Sequence, residues 1–204
     1  MSERGMIFNA EMVNAILSGS KTQTRRPIKW KQTRFTEIAE RDDGSLWPWA
    51  EDCERGGDIW FTCPFGEVGD RIWVRETFRV HSRATDVATL VYRASVRNSW
   101  TEQTHRVPVA VCNKPATPEK WTPSIHMPRW SSRITLEITD VRVERLNSIT
   151  ESDAEAEGVT DTGFGDLLVD GFRYLWKSIY GDDSWQANPW VWVIEFKRVE
   201  GGAA

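Results

Sequence analysis

Cysteine and histidine are scarce, with three of each in 204 residues. Cys53, Cys63 and Cys112 are an odd number at wide spacings, which argues against a disulfide framework and fits reduced, mostly buried thiols. A zinc site drawing on His81, His105 or His126 would have no CxxC or HxxxH pair behind it. No apolar run approaches the roughly 18 residues that cross a bilayer. Met1-Ser2-Glu3-Arg4-Gly5 also lacks the apolar core of a signal peptide. The expected setting is therefore a bacterial-type cytoplasm or a comparable reducing compartment, with no membrane partner. Excess positive charge is missing too: 26 Lys and Arg face 30 Asp and Glu, a net charge of -4, so any nucleic-acid contact must be local. Walker, GxGxxG, HExxH and GxSxG signatures are absent, which removes the common phosphate, dinucleotide, zinc-protease and serine-hydrolase classes. The βαβ rhythm is absent as well, which argues against a doubly wound sheet.

What the chain has in abundance is tryptophan, twelve residues against three tyrosines. Most are expected in the core, whereas Trp30, Trp47 and Trp49 sit among polar and turn residues and are candidates for exposed rings. The length suggests a single domain over 1–204, with insertions at about 28–68 and 79–132. Met6 to Phe8 reads as a strand, and Asn9 caps a helix through Ser18 that Gly19 ends. Residues 28 to 58 show no sustained period and read as irregular. A strand is predicted from Ile72 to Phe78, with Leu90 to Tyr92 pairing nearby. Five prolines between 101 and 132 predict a long ordered loop. The alternation from Ile134 to Val143 is the clearest strand, with a bend at Thr139-Asp140. Thr150 with Asp153 opens a short helix that ends at Gly158. A second helix spans Asp166 to Tyr180 with Leu168, Phe172, Leu175, Trp176 and Ile179 inward, and Trp190 to Lys197 is a final strand.

The segment Gly19-Ser20-Lys21-Thr22-Gln23-Thr24-Arg25-Arg26 concentrates an amine, three hydroxyls and two guanidiniums just after a helix. If it is extended, Lys21 and Gln23 face one way and Thr22 and Thr24 the other; a turn would let Lys21 and Thr24 converge. The simplest alternative is a solvated basic turn. A lysine desolvated in a pocket can lose its proton near neutral pH and serve as a base, while an arginine keeps its charge and can hold an oxyanion.

Here the chain resembles the ASCH family, whose hallmark is a GxKxxTxR stretch, present as Gly19, Lys21, Thr24 and Arg26. The resemblance continues in the Gly69-Asp70 turn, in Ile149 to Glu157 and in Val193 to Lys197. The longer layout, with Cys63-Pro64-Phe65-Gly66 and the stretch from Trp121 to Trp130, is similar to the ASCH proteins of bacteriophages and prophages. The resemblance implies an α+β, PUA-like mixed β-barrel with flanking helices and long loop insertions. It also implies the chemistry of the small N4-acetylcytidine amidohydrolases, whose Lys, Thr and Glu fall on Lys21, Thr24 and Glu157. No metal or other cofactor is implied. Around that triad, Arg26 is the candidate for an oxyanion or a ribose or phosphate oxygen, and Arg25 for a local basic groove. Glu76 is the alternative carboxylate, an acid in an apolar strand that needs a partner such as Lys21 or an arginine. Ser124 and His126 are candidates for lining a pocket. The expected partner is a modified nucleoside or RNA, and the oligomeric state is left open. Rival functions are a non-catalytic RNA-binding module, an ASCH-type ribonuclease, or a phage accessory protein acting by protein contacts.

Overall fold

Asn9 starts and Gly19 stops the first helix, as their chemistry requires. The Asn9 side chain accepts the Met12 backbone N–H at 2.8 Å. Gly19 adopts a left-handed φ of 82° that a side chain would strain. Between these caps, Met12, Val13 and Ile16 turn one apolar face inward. Asn9→Ala is expected to cost about 1 kcal/mol. The check is a lower urea midpoint at unchanged slope, and an unmoved midpoint would show that the cap contributes nothing.

The computed structural model describes residues 1–30, 37–52, 54–160 and 167–199. Its elements are β1 (Glu3–Ile7), α1 (Ala10–Ser18), β2 (Gln23–Pro27), β3 (Glu37–Glu40), β4 (Leu46–Glu51), β5 (Asp58–Trp60), β6 (Arg71–Arg75) and β7 (Phe78–Arg83). They continue with β8 (Val87–Tyr92), α2 (Trp100–Gln103), β9 (Thr104–Pro108), β10 (Thr135–Arg145), α3 (Glu151–Ala156), α4 (Leu168–Tyr180) and β11 (Trp190–Val199). The fold is α+β, and among the described residues its sheets are open, with no closed barrel. No described helix is long and apolar enough to cross a membrane. The chain divides into two compact units interleaved along the sequence. The first takes in Met1–Gly19, Asp70–Glu137 and the residues from Arg198, and the second takes in Ser20–Gly69 and Ile138–Lys197. Stretch 79–132 thus lies within the first unit, and stretch 28–68 within the second.

In the first unit β1 runs parallel to β6, and β6 pairs antiparallel with the first residues of β10. Gly5 lies opposite Trp73, and a Cβ there would sit 2.6 Å from the indole, so only glycine allows this approach. Strands β7, β8 and β9 form an antiparallel sheet. Its core face gathers Phe78, Leu90, Tyr92, Val107 and Met127. The single strand predicted from Ile72 to Phe78 is in fact two. It breaks at Glu76, whose backbone N–H goes to Met127 Sδ at 3.1 Å. The loop predicted for 101–132 contains α2 and β9, and β9 pairs with β8 through five residues that precede or include Pro108. Pro108 closes that strand instead of preventing it.

In the second unit β11 lies antiparallel to β2, with Ile194 opposite Thr24 and Trp192 opposite Arg26. The helices α3 and α4 cover Leu146, Ile149, Ala154, Phe172, Trp176, Val191 and Val193. Ile179, expected inside, is 44% exposed: the buried face of the helix ends at Trp176, and the last turn, with Tyr180 at 37%, lies outside the core. The stretch expected to be irregular holds a three-stranded antiparallel sheet, β3-β4-β5. Charges and Pro48 hide its alternation. Cross-strand indoles hold it instead, with Trp49 opposite Trp60, and the Arg41 guanidinium lies over both Trp47 and Trp60. Trp47 is covered by Arg41 at 4.3 Å and by Trp192 at 5.4 Å, whereas Trp30 is exposed.

Candidate active site

The segment after α1 is extended, which decides between the two conformations open to it. Lys21 makes a β-bridge to Glu157, the Thr22 N–H donates to the Ala156 carbonyl at 2.8 Å, and the Phe196 N–H donates to the Thr22 carbonyl at 2.9 Å. Along β2 the side chains alternate, so Gln23 and Arg25 share one face while Thr24 and Arg26 share the other. Glu157 follows α3 as its C-terminal cap, with its N–H donating to the Asp153 carbonyl at 2.8 Å. A reciprocal capping box of Thr150 and Asp153 fixes the start of that helix, and Gly158 turns the chain away with φ 86°. The strand and the helix end therefore bring together two residues 136 positions apart.

Lys21 Nζ donates to Glu157 Oε2 at 2.6 Å and to the Glu157 carbonyl oxygen at 2.8 Å. Both residues are 2% exposed. Burial pushes the Lys21 ammonium below its ordinary pKa; Glu157 pulls it back up, and the positive fields of Arg26 and Arg25 push it down again. The other carboxylate oxygen, Glu157 Oε1, lies 3.5 Å from Arg25 Nη1.

Arg25 is itself held on all sides. Its Nη2 lies 3.2 Å from both Glu144 Oε2 and Asp153 Oδ2, and its Nη1 donates to Gln23 Oε1. Gln23 in turn donates to Asp153 and Glu195 at 3.1 and 3.3 Å. Arg142 ties Asp140, Glu144 and Glu195 together at 2.9, 2.6 and 2.5 Å. Partial burial would raise the Asp153 carboxyl, but hydrogen bonds from Thr150 and Gln23 and the charge of Arg25 outweigh it and hold the group low. Sequence inspection did not single out Gln23, Arg142, Glu144, Asp153 or Glu195 as site residues. The available signal was period 2: Asp140, Arg142 and Glu144 alternate along β10, as Gln23 and Arg25 do along β2.

The structure thus joins Lys21 and Glu157 directly and adds Arg25 to Glu157. Thr24 is buried in backbone register with Ile194, and Arg26 is in register with Trp192. Glu76, Ser124 and His126 belong to the first unit. There Glu76 has the arginine partner its position demanded: Arg133 Nε and Nη2 donate to its two oxygens at 2.9 and 3.0 Å. Ser124 and His126 form a 3-10 turn in which His126 is exposed and Ser124 half-buried. The Arg75 guanidinium donates to the Ile125 carbonyl of that turn. Cys63 and Cys112 are buried and in no disulfide, and Cys53 lies outside the described residues. Among the described residues, no three His, Cys, Asp or Glu side chains gather into a group able to hold a metal ion.

No family model matches the chain, and no curated protein matches it. Among solved structures the chain is similar to an ASCH domain from Lactobacillus crispatus, at 15% identity and a TM-score of 0.40, over 97% of this chain and 79% of that one. It is also similar to a protein of the DUF984 family from Enterococcus faecalis, at 11% identity and a TM-score of 0.42, over 100% of this chain and 84% of that one.

Proposed function

We infer that this chain is an amidohydrolase that removes an acyl group from a modified nucleobase, nearest to N4-acetylcytidine giving cytidine and acetate, with no metal in the reaction. The observation that carries this reading is the buried contact between Lys21 Nζ and Glu157 Oε2 at 2.6 Å. An amine out of water and next to two guanidiniums yields its proton more readily than a solvated one, which suits a base. Neutral Lys21 takes a proton from a water, because the extended strand turns the Thr24 hydroxyl to its other face, and the water oxygen adds to the acyl carbon. Arg26, a guanidinium two residues beyond Thr24, is the donor for the oxyanion. The tetrahedral adduct then collapses with cleavage of the carbon–nitrogen bond, and the proton returns to the departing cytosine nitrogen. Glu157 orients the amine throughout.

One observation bears on the RNA-binding rival. Between residues 37 and 60 the chain carries eight carboxylates against two guanidiniums, so the tryptophan-bearing β3-β4-β5 sheet is acidic and repels a phosphate backbone. The deciding experiment incubates the purified protein with N4-acetylcytidine and follows cytidine by chromatography, with and without EDTA. Cytidine release that survives EDTA is the expected result. No release above buffer, or release lost to EDTA and restored by added metal, overturns the reading.

A further inference from the structure

We propose that Arg25 is a positioning residue for Lys21: its guanidinium takes one oxygen of the Glu157 carboxylate and so keeps Glu157 from holding the Lys21 ammonium as a full ion pair. This rests on the amidohydrolase reading for its purpose, but its geometry stands alone. Lys21 and Arg25 divide the Glu157 carboxylate, the first at Oε2 and 2.6 Å, the second at Oε1 and 3.5 Å. The Arg25 side chain has no solvent exposure, so it acts through the groups it touches.

A lysine that must work as a base faces a conflict when a carboxylate is its close partner, because the carboxylate stabilises the ammonium. Arg25 weakens that hold in two ways: it draws charge density toward Oε1, and it adds a second positive charge near the amine. What keeps it there is a surrounding frame of charge. From β2 come Arg25 and Arg26; from α3, Asp153; from β10, Glu144 with Arg142; and from β11, Glu195. Glu144 and Asp153 hold the far side of the Arg25 fork, each at 3.2 Å, so the guanidinium approaches Glu157 but does not close on it. The distance of 3.5 Å is the balance of those pulls.

Two substitutions are expected to act with opposite sign. Arg25→Gln leaves Glu157 wholly to Lys21, so the acid limb of the pH–rate profile moves up by about one pH unit. Arg25→Lys keeps the charge without the fork and restores part of the wild-type profile. Glu144→Gln removes a negative charge and releases Arg25 toward Glu157, so the limb moves down. A merely structural role would lower the rate or the melting point without moving the limb in these opposed directions. The second readout is the NMR titration of lysine labelled at the ε carbon, with the Lys21 signal assigned by its absence from Lys21→Met. It needs no turnover, so if the wild type is inactive the functional reading fails while the titration still decides this proposal. Opposed shifts of the Lys21 midpoint support it. An unmoved midpoint in Arg25→Gln, or shifts of the same sign in both variants, overturn it. If Arg25→Gln does not fold, Glu144→Gln carries the test by itself: a lower midpoint supports the proposal, and an unchanged or higher one overturns it.

Discussion

Lys21→Met is expected to lower kcat for N4-acetylcytidine hydrolysis by about 10²- to 10⁴-fold, the usual contribution of a positioned general base. Methionine keeps the length of the side chain and loses its proton chemistry. The fold should survive because Glu157 is not abandoned: Arg25 remains 3.5 Å from its Oε1 and its backbone N–H still donates to Asp153. The sign of the pH dependence follows from the amine. Its folded pKa lies below the ordinary 10.5, and only the neutral form accepts a proton, so the wild-type rate rises as pH rises through that lowered value. Stability follows the same direction. Between the lowered folded pKa and the ordinary one the unfolded chain binds more protons, so stability increases with pH there, and below that window the cost of the buried ammonium is felt in full. Both dependences disappear in Lys21→Met. Steady-state kinetics against pH, with a melt to confirm folding, checks this. A folded variant that keeps a third or more of wild-type turnover with its acid limb intact would remove Lys21 from the chemistry.

That the Lys21 and Glu157 side chains meet was legible in the sequence only through the family resemblance of the two segments that carry them. Charge counts and periodicity make Glu157 one acid among several in a polar helix. It is the C-terminal end of the helix, where Glu157 is the cap and Gly158 turns the chain, that places it inward. The local devices were readable from residue chemistry alone: the Asn9 cap, the Gly19 stop and the apolar alternation that became β10. What escaped was structure held by polar and aromatic groups. The β3-β4-β5 sheet has no apolar period because Trp47, Trp49 and Trp60 gain their burial from each other, from Trp192 and from Arg41. The strand break at Glu76 does not show in the pattern, because an acid inside an apolar run marks a residue in need of a partner and says nothing of the ladder around it. Arg133, its partner 57 residues away, belongs to no motif. Contacts of that span follow from topology, and topology was the least determined part of the sequence reading.

Arg133→Met is expected to destabilise the protein by about 3 to 5 kcal/mol, because it breaks a buried ion pair and leaves one charge uncompensated. At roughly 2 to 4 °C per kcal/mol for a chain of this size, the thermal midpoint falls by about 10 °C. The pair merits this figure by its burial and its geometry. Glu76 is 2% exposed, and Arg133 grips both of its oxygens while also donating to Ser95 Oγ at 2.9 Å and the Glu102 carbonyl at 3.2 Å. The Arg133 guanidinium lies 4.1 Å from the Tyr92 ring, and the Tyr92 hydroxyl donates to the Ser131 carbonyl at 2.7 Å, so the cluster ties β8 to the segment before β10. Burial raises the Glu76 carboxyl above its ordinary 4.5 even against the pull of Arg133. With Arg133 gone it rises further. Between 4.5 and the folded value the unfolded chain has already lost the proton that the folded chain keeps, so stability falls as pH rises through that window. The deficit of Arg133→Met therefore shrinks as pH falls through 4.5, where the unfolded chain takes up the proton as the folded one already has. Adding Glu76→Gln removes the ionisable group, and the double variant should lose less than the two single losses together and show no such pH trend. Melts of the four proteins at pH 4 and pH 7 measure both effects. Strict additivity at neutral pH would mean that Glu76 and Arg133 stabilise the unit independently and not as a pair.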